Sequence, residues 1–378
     1  LCYNIFVHKA TFKYRLYPTA SQATSMNHIF DECRWLYNHF LEDRKVVYEE
    51  LEASLSLYDQ IKTLPTLKAG RPTLAIVHSQ VLQNVAVRID LAMKAFFRRV
   101  KAGEKPGYPR FRGKGWYDSF TYPQSGFALK DSSVYLSMVG TVKATIHRPV
   151  EGAVKTCMVK RHAGKWFVAF SCEDVPDQDL PASDEVVGID VGLTSFATLS
   201  TGDAISNPRF FRADEKALAK AQRRMSKEAK GTPARAKYRK IVSHIHERIA
   251  NRRSNFAHQE SRKIVTRFGV IAVEDLSINR MLHNHCLAKS ISDAAWGQFT
   301  AYLSYKAESA GREFIAVNPA YTTQDCSRCG HRQPMPLSER SFNCPCCNLV
   351  LNRDHNASLN ILALGLQSLG KIPRSPRL

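Results

Sequence analysis

Three acidic residues sit beside apolar runs: Asp190 in VVGIDVG, Glu274 in GVIAVEDL and Asp354 in NRDHNASLNI. Carboxylates at strand ends are suited to holding divalent cations against a phosphodiester, because hard oxygen ligands match Mg²⁺ and Mn²⁺. Asp190 follows Val186, Val187, Gly188 and Ile189, and Glu274 follows Val270, Ile271, Ala272 and Val273, so each is expected at a strand end. Separations of 84 (274 − 190) and 80 (354 − 274) positions mean that only tertiary folding could assemble the three. Clustered without metal they would repel one another, and some would hold protons. With two Mg²⁺ or Mn²⁺ ions they would be ionised, one ion activating water for in-line attack and the other stabilising the leaving oxygen. Asp354 has a second reading, since it precedes a helical pattern and could be that helix's N-cap.

Cys326-x2-Cys329 and Cys344-x2-Cys347 form two knuckles separated by residues 330 to 343. That arrangement lets two loops converge tetrahedrally on a structural Zn²⁺, and four thiolates leave no open position for catalysis. Gly330 and Pro345 suit the tight turns. Cys346 adjoins Cys347, but the two-residue spacing selects Cys347. The other cysteines are scattered, which argues for metal binding in a reducing, cytoplasmic setting (nuclear if the source has a nucleus) rather than a disulfide framework.

The net charge of +20 implies a polyanionic partner. No apolar run is long enough to span a membrane, and the opening LCYNIFVHK lacks the pattern of a secretory signal. Arg223, Arg224, Lys227, Arg252 and Arg253 belong to a strongly basic stretch with few balancing acids, which favours phosphate contact over a merely solvated helix face. In KAGEKPGYPRFRGKGWYDSFTYPQSGF, Tyr108, Arg110 and Arg112 mix stacking surfaces with cations. Phe111 and Phe120 read equally well as hydrophobic anchors for that loop.

These residues need elements to position them. ATFKYRLY, residues 10 to 17, alternates as a strand and ends at Pro18. Met26, Ile29, Phe30, Cys33, Leu36, Tyr37, Phe40 and Leu41 then recur at helical spacing, and a second long helix is expected over 74 to 101. SSVYLSMV, TVKATIH, KTCMVKRH and KWFVAFSCE suit a small antiparallel barrel or sheet that takes in the first strand, with the helices as an insertion. DVPDQDLPASDE is an acidic linker. Beyond it lie two hairpin strands, one or two basic helices, the buried strand FGVIAVEDL, a helix over SDAAWGQFTAYLSYKAESAG, the strand REFIAVNP, and a last helix over DHNASLNILALGLQ. The alternation makes this second half α/β.

Taken together, GIDVG, VEDL, the four-cysteine module and NRDHNASLNI resemble the TnpB family, insertion-sequence-encoded relatives of type V CRISPR effectors. KYRLYP, WLYN, GYPRFR and SISDAAWGQF extend the resemblance over almost the whole chain, with YTTQDC in place of the family's YTSQTC and Cys346 extra. The resemblance implies a multidomain α/β and β protein. Its parts would be a RuvC-like nuclease of RNase H-like fold (183–319 and 352–370), a wedge-type β-barrel (1–18 and 104–178) and a helical recognition insertion (19–103). A zinc-binding target-nucleic-acid module (320–351) and a basic tail (371–378) complete the division. It implies cleavage of double-stranded DNA beside a short motif, directed by a guide RNA from the transposon end, with one copy of the chain per RNA. It makes Asp190, Glu274 and Asp354 the catalytic metal ligands, and it brings Tyr58, Gln83 and Thr121 near the adjacent duplex motif. A catalytically silent RNA-guided repressor and a protein-only transposase are the competing readings; the first is opposed by the presence of all three acids.

Overall fold

The computed structural model describes residues 9–336 and 338–371. Most of the expected basic tail, and residues 1–8 of the first expected segment, lie outside these. The chain forms two compact units, Leu1–Pro176 and Asp177–Leu378.

The first unit begins with β1 (Ala10–Tyr17), which Pro18 separates from α1 (Ala20–Leu51). Thr19 starts α1 with a capping box: its hydroxyl accepts from the Gln22 amide, and the Gln22 side chain accepts from the Thr19 N–H. All eight apolar positions expected on one face of this helix are buried. Next comes α2 (Leu57–Gly70), absent from the expected elements because Pro65 interrupts it, although Leu57, Ile61, Leu64 and Leu67 recur at helical spacing and pack on the core. Its start was written in Ser56-x-x-Asp59, a second capping box. A 3₁₀ turn occupies Pro72–Ile76, so α3 (Ser79–Lys101) starts five residues later than the pattern predicts.

The expected loop after α3 ends early, since β2 (Ser119–Tyr122) already belongs to the sheet. β3 (Phe127–Lys130), β4 (Ser133–Leu136), β5 (Gly140–Thr145), β6 (Ala153–His162) and β7 (Lys165–Glu173) follow. They form one seven-stranded sheet in the order β2-β6-β7-β1-β5-β4-β3, in which β1 pairs antiparallel with both β5 and β7. The sequence-first strand thus joins the later ones as expected. Phe30 of α1 stacks on Trp166 of β7 at 5.4 Å, joining helix and sheet in one core.

The second unit opens with β8 (Val186–Val191), β9 (Ser195–Leu199) and β10 (Ala204–Ser206). The basic helices α4 (Phe210–Lys227) and α5 (Pro233–Arg267) precede β11 (Val270–Glu274). α6 (Ile278–Met281), α7 (Ala288–Ala294), α8 (Trp296–Ser309) and β12 (Glu313–Val317) follow. The single helix expected across 292–311 is broken at Ala295, whose φ of 56° turns the chain between α7 and α8. The strand order is β10-β9-β8-β11-β12, with β8, β11 and β12 parallel and β9 antiparallel to β8. β13 (Ser341–Asn343) and β14 (Val350–Asn352) form a separate ribbon, and α9 (Arg353–Ser368) begins at the residue after β14.

Two glycines let α9 lie directly on the sheet. A Cβ on Gly188 of β8 would stand 2.1 Å from the Ser358 carbonyl oxygen, and one on Gly365 of α9 would stand 2.6 Å from the Ala272 Cβ. Only hydrogen fits at either place. Among the described residues, no helix is long and apolar enough to cross a membrane.

Candidate active site

The register of the parallel pair aligns Ile189 of β8 with Val273 of β11. The next residues, Asp190, one short of the end of β8, and Glu274, the last of β11, therefore lie side by side on neighbouring strands. Asp354 arrives on the first turn of α9, its carboxylate facing Gly192 just beyond β8. The structure brings the three together.

The alternative role for Asp354 falls away. Asn352 caps α9, its side-chain oxygen accepting from the Asp354 and His355 amides at 2.9 and 3.2 Å. Asp354 keeps its carboxylate for other partners, one of which is the Arg353 guanidinium at 3.2 Å. Arg353 is fixed in turn by the Glu339 carbonyl at 3.0 Å.

Burial, and then the charges of Glu274 and Asp354, raise the Asp190 carboxyl well above the usual carboxylate range, with Arg353 acting the other way. Burial also raises Glu274, opposed by the hydroxyl of Thr322, which donates to its Oε1 at 2.6 Å. A buried acid lifted by two neighbouring acids is a site short of positive charge, and that deficit is what divalent cations with oxygen preference would supply. Among the described residues the cysteines alone bring their ligand atoms within 4.8 Å of one another; the three carboxylates are neighbours with the oxygen chemistry that Mg²⁺ or Mn²⁺ takes, without closing to that distance.

The four cysteines converge more tightly. Their sulfurs all lie within 4.8 Å of one another, with Cys326–Cys347 and Cys329–Cys344 each at 3.6 Å. Tetrahedral zinc with bonds near 2.3 Å would set sulfur–sulfur edges of about 3.8 Å. Cys346 is exposed and outside the group. Each knuckle closes the same way: the Gly330 and Asn348 amides reach back to the Cys326 and Cys344 carbonyls, and both residues take positive φ, 76° and 54°. Pro345 lies inside the second turn as expected, and Asn348 closes it.

The expected nucleic-acid residues divide by environment. Arg223, Arg224 and Lys227 are exposed near the C-terminal end of α4. Arg252 lies 3.5 Å from Asp214, a partly screened pair. Arg253 is different: it binds Asp293 at 2.8 and 3.1 Å with only 21% of its side chain exposed, so its charge is committed inside the fold. Asp293 also accepts from the Phe211 amide at the start of α4, which explains its burial and was not legible in the sequence. The stretch has its balancing acids after all, in Asp214 and Asp293.

In the first unit Tyr58 is 72% exposed on α2 and Gln83 is exposed on α3. Thr121 on β2 accepts from Arg88 at 3.0 Å. Arg110 is exposed, and the Arg112 backbone is clamped by Asn38 through bonds of 2.7 and 3.0 Å while its guanidinium lies over Tyr37. Tyr108 meets Phe96 edge-on and, with Phe111, lines a cavity of about 640 Å³. Phe120 is fully buried and is an anchor, whereas Phe111 stays at the surface.

Comparison with known proteins identifies this framework. A protein of Streptomyces pristinaespiralis named "Putative RNA-guided DNA endonuclease" is 36% identical over 374 residues, spanning 95% of this chain and 90% of its own length. The chain belongs to the TnpB family. The similarly named InsQ of Escherichia coli K12 is 30% identical over 94% of this chain and 92% of its own. The family model described as a probable transposase matches residues 169–285, containing Asp190 and Glu274, and one described as a Cas12f1-like TNB domain matches 296–361, containing the cysteine cluster and Asp354. A model described as a helix-turn-helix domain matches 8–52, where this TnpB chain has one strand and a single 32-residue helix. The fold is shared with the protein chain of a Cas12f1–sgRNA–target DNA complex, at a TM-score of 0.58 and 14% identity over 94% of this chain and 98% of that one.

Proposed function

We propose that this chain is an RNA-guided DNA endonuclease that cuts target DNA next to a short motif, using Asp190, Glu274 and Asp354 as its metal-binding acids. The observation that carries the reading is the meeting of these acids: two adjacent parallel strands and the first turn of α9 bring a buried Asp190 beside the half-buried Glu274 and Asp354. A pair of bound Mg²⁺ or Mn²⁺ ions would supply an activated water and stabilise charge on the phosphate.

The protein's own residues prepare that chemistry. The parallel register sets Asp190 beside Glu274, the Asn352 cap leaves Asp354 available, and Arg353 orients one Asp354 oxygen. The strand order of the second unit supports an RNase H-like, RuvC-type nuclease domain over 183–319 and 352–370. The sulfur geometry supports a structural Zn²⁺ within 320–351. The antiparallel sheet is assigned as the wedge-type element (1–18 and 104–178), and α1 to α3 as the recognition insertion (19–103). Guide and target backbones would run over Arg223, Arg224, Lys227 and Arg252, while Tyr58, Gln83 and Thr121, with Tyr108, Arg110 and Arg112, would meet the DNA bases and the adjacent motif. Sequence selection itself would lie in base pairing with the guide.

Expression with the flanking genomic sequence, sequencing of co-purified RNA and a plasmid-cleavage assay with and without Mg²⁺ test the reading. Asp190→Ala should abolish cutting and leave guided DNA binding in place. Unchanged cutting refutes the assigned centre, and absence of a discrete RNA favours a protein-only transposase.

A further inference from the structure

The cysteine module reaches the acids through a residue that neither the three-acid pattern nor the zinc pattern marks. Thr322 is buried in the segment between β12 and the first knuckle, and its hydroxyl donates to Glu274 Oε1 at 2.6 Å. The same oxygen lies 3.1 Å from the Pro319 carbonyl. A hydroxyl has one proton to give, and the shorter contact to the charged acceptor takes it.

The backbone of this segment is held from α9. The Asn360 amide donates to the carbonyls of Thr322 at 2.8 Å and Asp325 at 2.7 Å. Asn356, fully buried, donates to the Asp325 carbonyl at 2.8 Å and accepts from the Ser327 amide at 2.9 Å, inside the first knuckle. α9 therefore carries Asp354 on its first turn and, two and six residues on, the amides that fix the donor to Glu274. Two of the three acids are set by one helix.

We infer that Thr322 is a positioning residue for the nuclease centre, aiming one Glu274 oxygen so that the other faces Asp190 and the metal site, with Asn360 and Asn356 holding it in register with Asp354. The inference rests on the nuclease reading and deepens it. A glutamate has three side-chain torsions, and without a fixed donor its carboxylate would sample several orientations. Orientation of a ligand by a hydrogen-bonding partner outside the metal's own coordination sphere is worth tenfold or more in metal affinity.

The test uses the full chain with its guide RNA. Thr322→Val keeps the shape and removes the hydroxyl, and Thr322→Ser keeps the hydroxyl. Mn²⁺ binding is followed by electron paramagnetic resonance, after subtracting the Mn²⁺ held by the Asp190→Ala complex. Single-turnover cleavage, guided DNA binding and zinc content are measured alongside. Thr322→Val should weaken the Asp190-dependent Mn²⁺ binding and slow cleavage each by about tenfold or more, with DNA binding and zinc content unchanged, and Thr322→Ser should stay within about threefold of the parent on the same scale. Parent-like Mn²⁺ binding and cleavage in Thr322→Val overturns the role, and so does equal impairment of the Val and Ser variants. The Asp190→Ala control separates the two levels: if it cuts as well as the parent, the nuclease reading fails and this inference with it.

Discussion

Replacing Gly188 with alanine should disable cutting while leaving the fold assembled. Its φ is not in the left-handed region, so alanine's backbone preferences are compatible; the obstacle is space. The added Cβ would stand 2.1 Å from the Ser358 carbonyl oxygen and 2.6 Å from the Leu362 amide nitrogen, both backbone atoms of α9. Relief to 3.4 Å, where ordinary contact begins, needs a displacement of 1.3 Å (3.4 − 2.1). Asp354 lies one turn before Ser358, so most of that shift reaches its carboxylate. Misplacement of a reacting group by about 1 Å costs roughly 10²-fold in rate, equivalent to about 2.7 kcal/mol. Overpacking should remove about 1–3 kcal/mol of stability. The assay is single-turnover cleavage of a guide-matched plasmid at saturating Mg²⁺, with mobility-shift binding and thermal melting in parallel. Gly70→Ala, where an added Cβ meets nothing within 4 Å, is the control. Gly188→Ala cutting within about threefold of the parent, against the roughly 10²-fold loss expected, would refute the claim that α9's contact with β8 sets the third acid.

Three further outcomes follow from the same geometry. Asp190's raised carboxyl keeps its proton in the folded state while the unfolded chain ionises near 3.8, so without divalent metal stability should fall as pH rises through that value toward the folded one; Asp190→Asn should remove this slope in thermal melts, and Mg²⁺ should weaken the advantage of Asn at neutral pH. Cys329→Ser should lower bound zinc measured by atomic absorption, whereas Cys346→Ser should leave it at the parent value, because only the former sulfur belongs to the cluster. Arg253→Ala leaves Asp293 buried without its counter-charge and should cost about 3 kcal/mol in denaturant unfolding, while Arg224→Ala and Lys227→Ala should instead flatten the salt dependence of nucleic-acid binding with melting unchanged.

Much of this site was legible because strong apolar runs end in acids. Val186 to Ile189 and Val270 to Val273 are continuous hydrophobic segments of parallel strands, and the residues that follow them are the ones the register sets side by side. The α1 stripe was equally plain, since a long helix against a sheet repeats its apolar face many times. What escaped reading depends on tertiary partners. The α2 helix has an apolar stripe in Leu57, Ile61, Leu64 and Leu67, but Pro65 masks it, and the helix also buries Gln60, which bonds the Phe40 carbonyl and Arg44. Asn352 could have been recognised as a cap, but NRD offers two capping residues and only the structure chooses. Arg253 looked like its exposed neighbours because Asp293 lies forty residues away in sequence. Thr322 stands in the YTTQDC segment, but that motif says nothing of its role, which becomes legible only when Glu274 is found beside it.

β14 ends at Asn352 and α9 begins at Arg353, with no residue between them. One inserted residue at that junction would turn the start of the helix by about 100° and carry Asp354 away from its neighbours. Length variation is therefore forbidden at the module's exit, where the Glu339 and Arg340 carbonyls also accept from Arg353 and bind the span between the knuckles to the start of the helix. Swapping modules between relatives should fail when the cut falls at 352–353 and changes the length there. The joint makes the clustered cysteines and the last acid a single mechanical unit.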